Sequence, residues 1–412
     1  MRKYLSITLG IMTALGGFLD LGQIVFTAQA GAYFGYQLLW SIVLGTAAII
    51  LYMEMCGRIA VVAREPVFSV VRTCLGFRFG LIVLILSNLL NLITCAAELG
   101  GIAIGLHLLT GWPERALVLG SAVALGTIVQ LLRFQWIERV FGLSGLLMIV
   151  FAVSALVLHP DWTRLASGLL PQLSFTSHKD GLLYCYFAVG IFSALLMEYE
   201  VHFYSSGAME EDWTTDDLKQ NFMVAAFGSI LGSLLTVALM AVAAIVLLPR
   251  GIFPELLSTS VLAGASPFGK KALTIALLGT LACLAGAAVE TNLSGAYNLC
   301  QFFNLPWGKN RPVKDVPVYT ASWMGMLAVA CGIALAWLSP LDLVNISVIF
   351  GMVIMPLTYY PILKVASDRG IMGKHANGRF LTGVGIVFLI LITVAAVAAI
   401  PLMIVTHAGR PQ

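Results

Sequence analysis

The sequence predicts an all-α integral membrane protein: two five-helix repeats of inverted topology followed by one further helix, eleven spans in all. Three observations predict it. The 412 residues are 59% hydrophobic and only 10% charged, with a mean hydropathy of +0.95, whereas soluble domains carry about 25% charged residues. Eleven apolar runs are long enough to cross a bilayer. Finally, the first run of each five-helix half, segments 1 and 6, is interrupted by acids and helix-weakening residues, the pattern of transporters whose broken helices bind substrate at a repeat interface.

The segments are 4–32, 38–63, 79–109, 115–132, 140–158, 182–206, 220–248, 271–303, 317–338, 343–365 and 381–406. Repeat one covers about 4–158, repeat two about 182–365, and the extra helix about 381–406, all within one domain 1–412. Segment 1 begins after Met1-Arg2-Lys3, and its apolar run is too long for a cleavable signal. It carries Asp20 among apolar residues, where a carboxylate costs roughly 2.5 to 3.5 kcal/mol, and Gly16, Gly17 and Gly22 soften the helix around it. Segment 2 bears Glu54 near its end, beside Arg58, as a rim residue. Segment 3 carries Glu98. Segment 6 is the most polar, with Glu198, Tyr199, Glu200, His202, Ser205 and Ser206, and must face protein or water rather than lipid. Glu198 and Glu200 stand about 200° apart on a helix, so they are not expected to share a site. His202 reads as a hydrogen-bonded core residue, Ser205 and Ser206 as bonded back to their own helix. The acidic run from Glu210 to Asp217 is placed to cap segment 7. Segment 8 carries Glu290 with Thr291 and Asn292, a polar patch suited to a pathway wall.

Sixteen Lys and Arg fall on the side of the N-terminus and seven on the other, which sets the N-terminus in the cytoplasm and the C-terminus outside. The net charge of +3 is dispersed over loops, so no nucleic-acid footprint exists. The seven cysteines form no CxxC or Cys/His cluster and read as small core residues. GxSxG, P-loop and HExxH motifs are lacking, so enzymatic activity is not expected. No cofactor and no obligatory protein partner is implied beyond the bilayer and a transported solute.

Four stretches carry a family resemblance: Gln29-Ala-Gly-Ala-Tyr33-Phe-Gly-Tyr36-Gln-Leu-Leu-Trp40, Ala97-Glu98-Leu-Gly-Gly, the loop from Pro160-Asp161-Trp162 to Pro171, and Ile371-Met-Gly373 through Asn377. In this order and spacing they resemble the NRAMP family of divalent-metal transporters. The resemblance implies the LeuT-like fold with discontinuous helices 1 and 6, and proton-linked import of Mn²⁺ or Fe²⁺ as substrate. The family's Asp-Pro-Gly-Asn motif reads here Asp20-Leu21-Gly22-Gln23, and its Ala-x-x-Met-Pro-His motif reads Ala194-Leu-Leu-Met197-Glu198-Tyr199. The implied metal ligands are the Asp20 carboxylate, the Gln23 amide oxygen, the Ala194 carbonyl and the Met197 thioether, the last favouring transition metals. Glu98, Glu198, Glu200, Glu290 and Tyr199 are left for the proton pathway or the cavity. A family acid three residues before Glu98 is Cys95 here, the family His is Tyr199, and segment 9 contains no Arg or Lys. These departures, with the additional acids, keep two alternatives open: a Mg²⁺ transporter of the same fold with weak or no proton coupling, and an organic-solute transporter. A non-transporting sensor is disfavoured by the absence of any soluble output domain.

Overall fold

The computed structural model describes residues 19–172, 178–254, 257–265, 267–336 and 339–409. The expected first half of segment 1, with Gly16 and Gly17, lies outside the described residues. Within them the chain is helical without strands, and ten helices are long and apolar enough to cross a membrane.

Helix α1 spans Leu21–Phe34 and α2 Leu39–Val62. A short helix α3, Val67–Leu75, leads into the long α4, Phe77–Thr110, and then α5, Glu114–Leu131. The fifth span is α6, Phe134–Gly145, joined through one 3₁₀ turn to α7, Ile149–Val157. It begins six residues before the expected boundary, because the polar start Gln135-Trp136-Ile137-Glu138 is already helical, and this buries Glu138. The short α8, Trp162–Ser167, crosses the next loop. The sixth span is broken into α9, His178–Ala194, and α10, Glu198–Glu210. Then follow α11, Leu218–Val246, a loop helix α12, Leu257–Ala265, and α13, Lys270–Phe302. Helices α14, Pro317–Ala336, α15, Pro340–Ala366, a single turn α16, Arg369–Met372, and α17, Arg379–Val405, complete the fold.

The antiparallel pair α4 and α13 forms the centre. Cys95 Sγ meets the Ala288 carbonyl at 3.6 Å and Asn88 Nδ2 donates to the Gly295 carbonyl at 3.3 Å. Glycines let other helices approach closely: a Cβ on Gly31 of α1 would stand 2.6 Å from the Met240 carbonyl oxygen of α11, and one on Gly22 would stand 2.7 Å from Val348 of α15. α17 packs on α15 and turns the rest of its apolar surface outward, with Phe380 83% and Val397 75% exposed, as a lipid-facing helix does.

The capping expected of the acidic run falls to Asp217 alone, and Glu210 is used elsewhere. Glu54 pairs with Arg58 at 2.9 Å, and Arg58 also donates to the His375 carbonyl and to Asn377 Oδ1. Thr214 and Asp217 form a reciprocal capping box at the entry to α11. Glu210 accepts from Tyr297 Oη at 3.0 Å and from the backbone N–H groups of Lys309 and Asn310, clasping the 303–316 loop to the end of α10. All seven cysteines are free; five are buried, but Cys185 is exposed and Cys74 half-buried, so these two depart from the core reading.

Candidate metal site

Asp20 sits outside the helix as the N-cap of α1, with extended backbone (φ −64°, ψ 171°). Its Oδ1 accepts from the Gln23 backbone N–H at 2.7 Å. The next free donor of that turn, Leu21 N–H, goes to Glu98 Oε1 of α4 at 3.0 Å. Two carboxylates from different helices thus satisfy the orphan donors at the positive end of α1. The other Asp20 oxygen, Oδ2, accepts from Tyr199 Oη of α10 at 2.9 Å. Tyr199 is held from behind by Ser294 of α13, whose hydroxyl donates to its carbonyl at 3.0 Å.

The break in the sixth span is Leu195-Leu196-Met197. It frees backbone carbonyls at mid-bundle: Leu196 O accepts from Tyr359 Oη at 2.8 Å, whereas no backbone N–H of the described residues bonds the Ala194 carbonyl. Of the ligands the resemblance implies, Asp20 and Gln23 are buried at the start of α1 and Ala194 is buried at the break in the sixth span. Gln23 donates through Nε2 to Thr27 Oγ1 at 2.9 Å, and its Oε1 has no partner. Met197 is buried as well, but its sulfur lies 3.0 Å from where a Cβ on Gly351 of α15 would be.

The remaining acids divide between two places. Glu98, Glu200 and Glu290 are fully buried, and each lies close enough to Asp20 for their charges to interact. Both oxygens of Glu200, both of Glu290 and Oε2 of Glu98 are without hydrogen-bond partners. Among the described residues, no Lys, Arg or His is an electrostatic neighbour of these three or of Asp20. Glu198 points elsewhere: Oε2 accepts from Thr358 Oγ1 of α15 at 2.7 Å. The structure therefore separates Glu198 from Glu200, as their spacing demands. Among the described residues, no three His, Cys, Asp or Glu side chains are gathered tightly enough to close around a metal ion; a cation here would also draw on amide and carbonyl oxygens.

Two expectations need correction. His202 is buried but makes no hydrogen bond; its ring packs edge-on to Phe68, centroids 5.2 Å apart, because its neighbours on α3 are apolar. Ser206 does bond back to the His202 carbonyl at 2.8 Å, but Ser205 instead accepts from Val67 N–H, capping the start of α3. Sequence reasoning also passed over buried Ser87, Asn91 and Thr94, which with Glu98 form one stripe of α4; their 4-, 3- and 4-residue spacing is the signal that would have found them.

An all-helical bundle with a broken helix carrying buried acids at its centre defines the architecture of a secondary transporter. The chain belongs to the natural resistance-associated macrophage protein-like (Nramp) family, whose profile matches residues 10–401; its members are membrane transporters, not enzymes. Relatives include the divalent metal cation transporter MntH of Agrobacterium fabrum, 24% identical over 94% of this chain and 84% of the relative. MntH 1 of Pseudomonas aeruginosa is 25% identical over 90% and 86%. Among solved structures, the Eremococcus coleocola manganese transporter superposes with a TM-score of 0.73 at 20% identity, covering 99% of this chain and 89% of that one. MhsT in complex with L-phenylalanine gives 0.65 at 14% identity, covering 96% and 98%. These likenesses establish the LeuT-like fold.

Proposed function

We propose that this chain is a secondary transporter that imports divalent transition-metal cations, Mn²⁺ or Fe²⁺, across the cytoplasmic membrane. One observation carries the reading: three buried carboxylates, Glu98, Glu200 and Glu290, lie within electrostatic reach of the buried Asp20, and no cationic side chain of the described residues is among their neighbours. Such a cluster is tolerated only when protons or bound cations neutralise it. The metal ligands are Asp20, the Gln23 Oε1, the Ala194 carbonyl and Met197; Glu98, Glu200 and Glu290 hold the protons that leave when metal enters, and Tyr199 guards Asp20. The divalent-cation transporters among the relatives support the substrate class. The Lys/Arg asymmetry supports a cytoplasmic N-terminus and an extracytoplasmic C-terminus. Mn²⁺ uptake into proteoliposomes tests the reading: Asp20→Ala abolishes it, and undiminished uptake in that variant refutes it.

A second reading is favoured by the oxygens recorded at Asp20. The Tyr199 phenol on its carboxylate, Glu98 at the next N–H and the unpartnered Gln23 Oε1 are a hard set that suits Mg²⁺. Competition separates the two: Mn²⁺ uptake that persists in large Mg²⁺ excess excludes the magnesium reading, and uptake that collapses supports it.

A further inference from the structure

The face of α10 turned away from Asp20 carries a second set of oxygen atoms that the divalent-cation reading does not use. Glu198 opens α10 immediately after the helix break and is completely buried. Its Oε2 takes the Thr358 hydroxyl at 2.7 Å, while Oε1 has no partner. Ser87 of α4 stands beside the same carboxylate without a well-formed hydrogen bond. Asn91, one helical turn further along that face of α4, is fully buried with both amide atoms unpartnered. The two helices meet at this level: Leu90 of α4 and Met197, the residue before Glu198, both pack on Gly351 of α15.

Unpartnered buried polar atoms are costly; here Oε1 of Glu198 on α10 and the side chains of Ser87 and Asn91 on α4 are all of this kind, while Thr358 of α15 closes on the same carboxylate through its hydrogen bond. The donor chemistry points to the occupant. One carboxylate stands with two hydroxyl oxygens, those of Thr358 and Ser87, and the Asn91 amide lies one turn further along the same face of α4; all are hard donors. A divalent cation would leave a net positive charge buried in the bundle; a monovalent one balances the set.

We propose that Glu198, Thr358, Ser87 and Asn91 form a sodium-binding site, separate from the Asp20 centre. Its occupant ties the start of α10 to α4 and α15, and so stabilises one arrangement of the break in the sixth span.

The test is a thermal-unfolding titration of the purified full-length protein in detergent, free of divalent metal, with sodium chloride exchanged against choline chloride at constant ionic strength. The wild type shows a saturable rise in Tm with sodium. Glu198→Gln loses that rise. Ser87→Ala and Asn91→Ala move its midpoint about tenfold or more to higher sodium, and Thr358→Ser, which keeps the hydroxyl, retains it. A wild type that responds alike to sodium and choline overturns the proposal, whatever the variants do, as does a Glu198→Gln protein with the full sodium response. Because no divalent metal is present, failure here leaves the reading of the Asp20 centre untouched, and Asp20→Ala retains the sodium response.

Discussion

At the residue scale, Asp20 does two jobs that a single substitution can separate. It caps α1 through Gln23 N–H and it contributes charge to the acidic centre. Asn caps a helix about as well as Asp, so Asp20→Asn leaves thermal stability nearly unchanged, while Mn²⁺ affinity measured by calorimetry falls at least about tenfold, roughly 1.4 kcal/mol. Tyr199 is the converse case. Its phenol occupies Asp20 Oδ2, an oxygen that an entering metal needs. Tyr199→Phe removes a hydrogen bond to a carboxylate, worth about 1.5–3 kcal/mol. The metal-free protein therefore melts at a lower temperature while metal binds more tightly; a weakened affinity would mean instead that the phenol oxygen is itself a ligand. Asp20 was legible in the sequence as a residue at a helix end, since an acid within a glycine-softened apolar run reads as a cap or as a ligand, and the structure shows the cap. Tyr199 was not: its spacing places it on α10, but only the fold brings its hydroxyl onto a residue 179 positions away.

At the element scale, the break in the sixth span is held mainly by α15. Ser193 donates to Val348 O at 2.6 Å, Tyr359 to Leu196 O, and Thr358 to Glu198. Thr358 and Tyr359 lie between Pro356 and Pro361, each of which removes a backbone donor and bends the helix. The break itself could be anticipated from the polar run that follows Met197, but the strap could not, because prolines in an apolar segment do not announce which neighbour they face. Helix α1 approaches α11 so closely that a methyl at Gly31 meets a backbone carbonyl. Backbone cannot step aside as a side chain can, so Gly31→Ala destabilises the protein by about 1–3 kcal/mol, read as a lowered Tm. Gly120→Ala, where nothing lies within 4 Å of the new methyl, serves as the neutral control.

At the scale of the whole molecule, charge balance links metal to protons. If four interacting carboxylates share a mostly dry interior, a divalent cation entering among them competes with the protons that neutralise them. Affinity for Mn²⁺ therefore rises with pH, and binding in a weakly buffered solution releases protons, detectable with an indicator dye; affinity flat across pH 5 to 8 would contradict this. Chelation of bound metal lowers Tm by mass action. That the chain is an all-helical membrane protein was readable from composition and the run of apolar segments, because the bilayer imposes one secondary structure on any chain that crosses it this way. The sorting of Glu198 away from Glu200 followed from helical period. Which acids meet Asp20 was not readable, since Glu98, Glu200 and Glu290 come from three helices whose facing depends on packing.

The clasp at Glu210 carries a consequence for how this protein can vary. The hydrogen bonds that catch the carboxylate come from the backbone N–H groups of Lys309 and Asn310, and the Lys309 charge only adds to them. Nearly any residue can therefore stand at position 309 while the latch persists, and chains that have drifted apart there should still share it. Proline at 309 is the exception: lacking the donor, it would release the loop while leaving Glu210 itself intact.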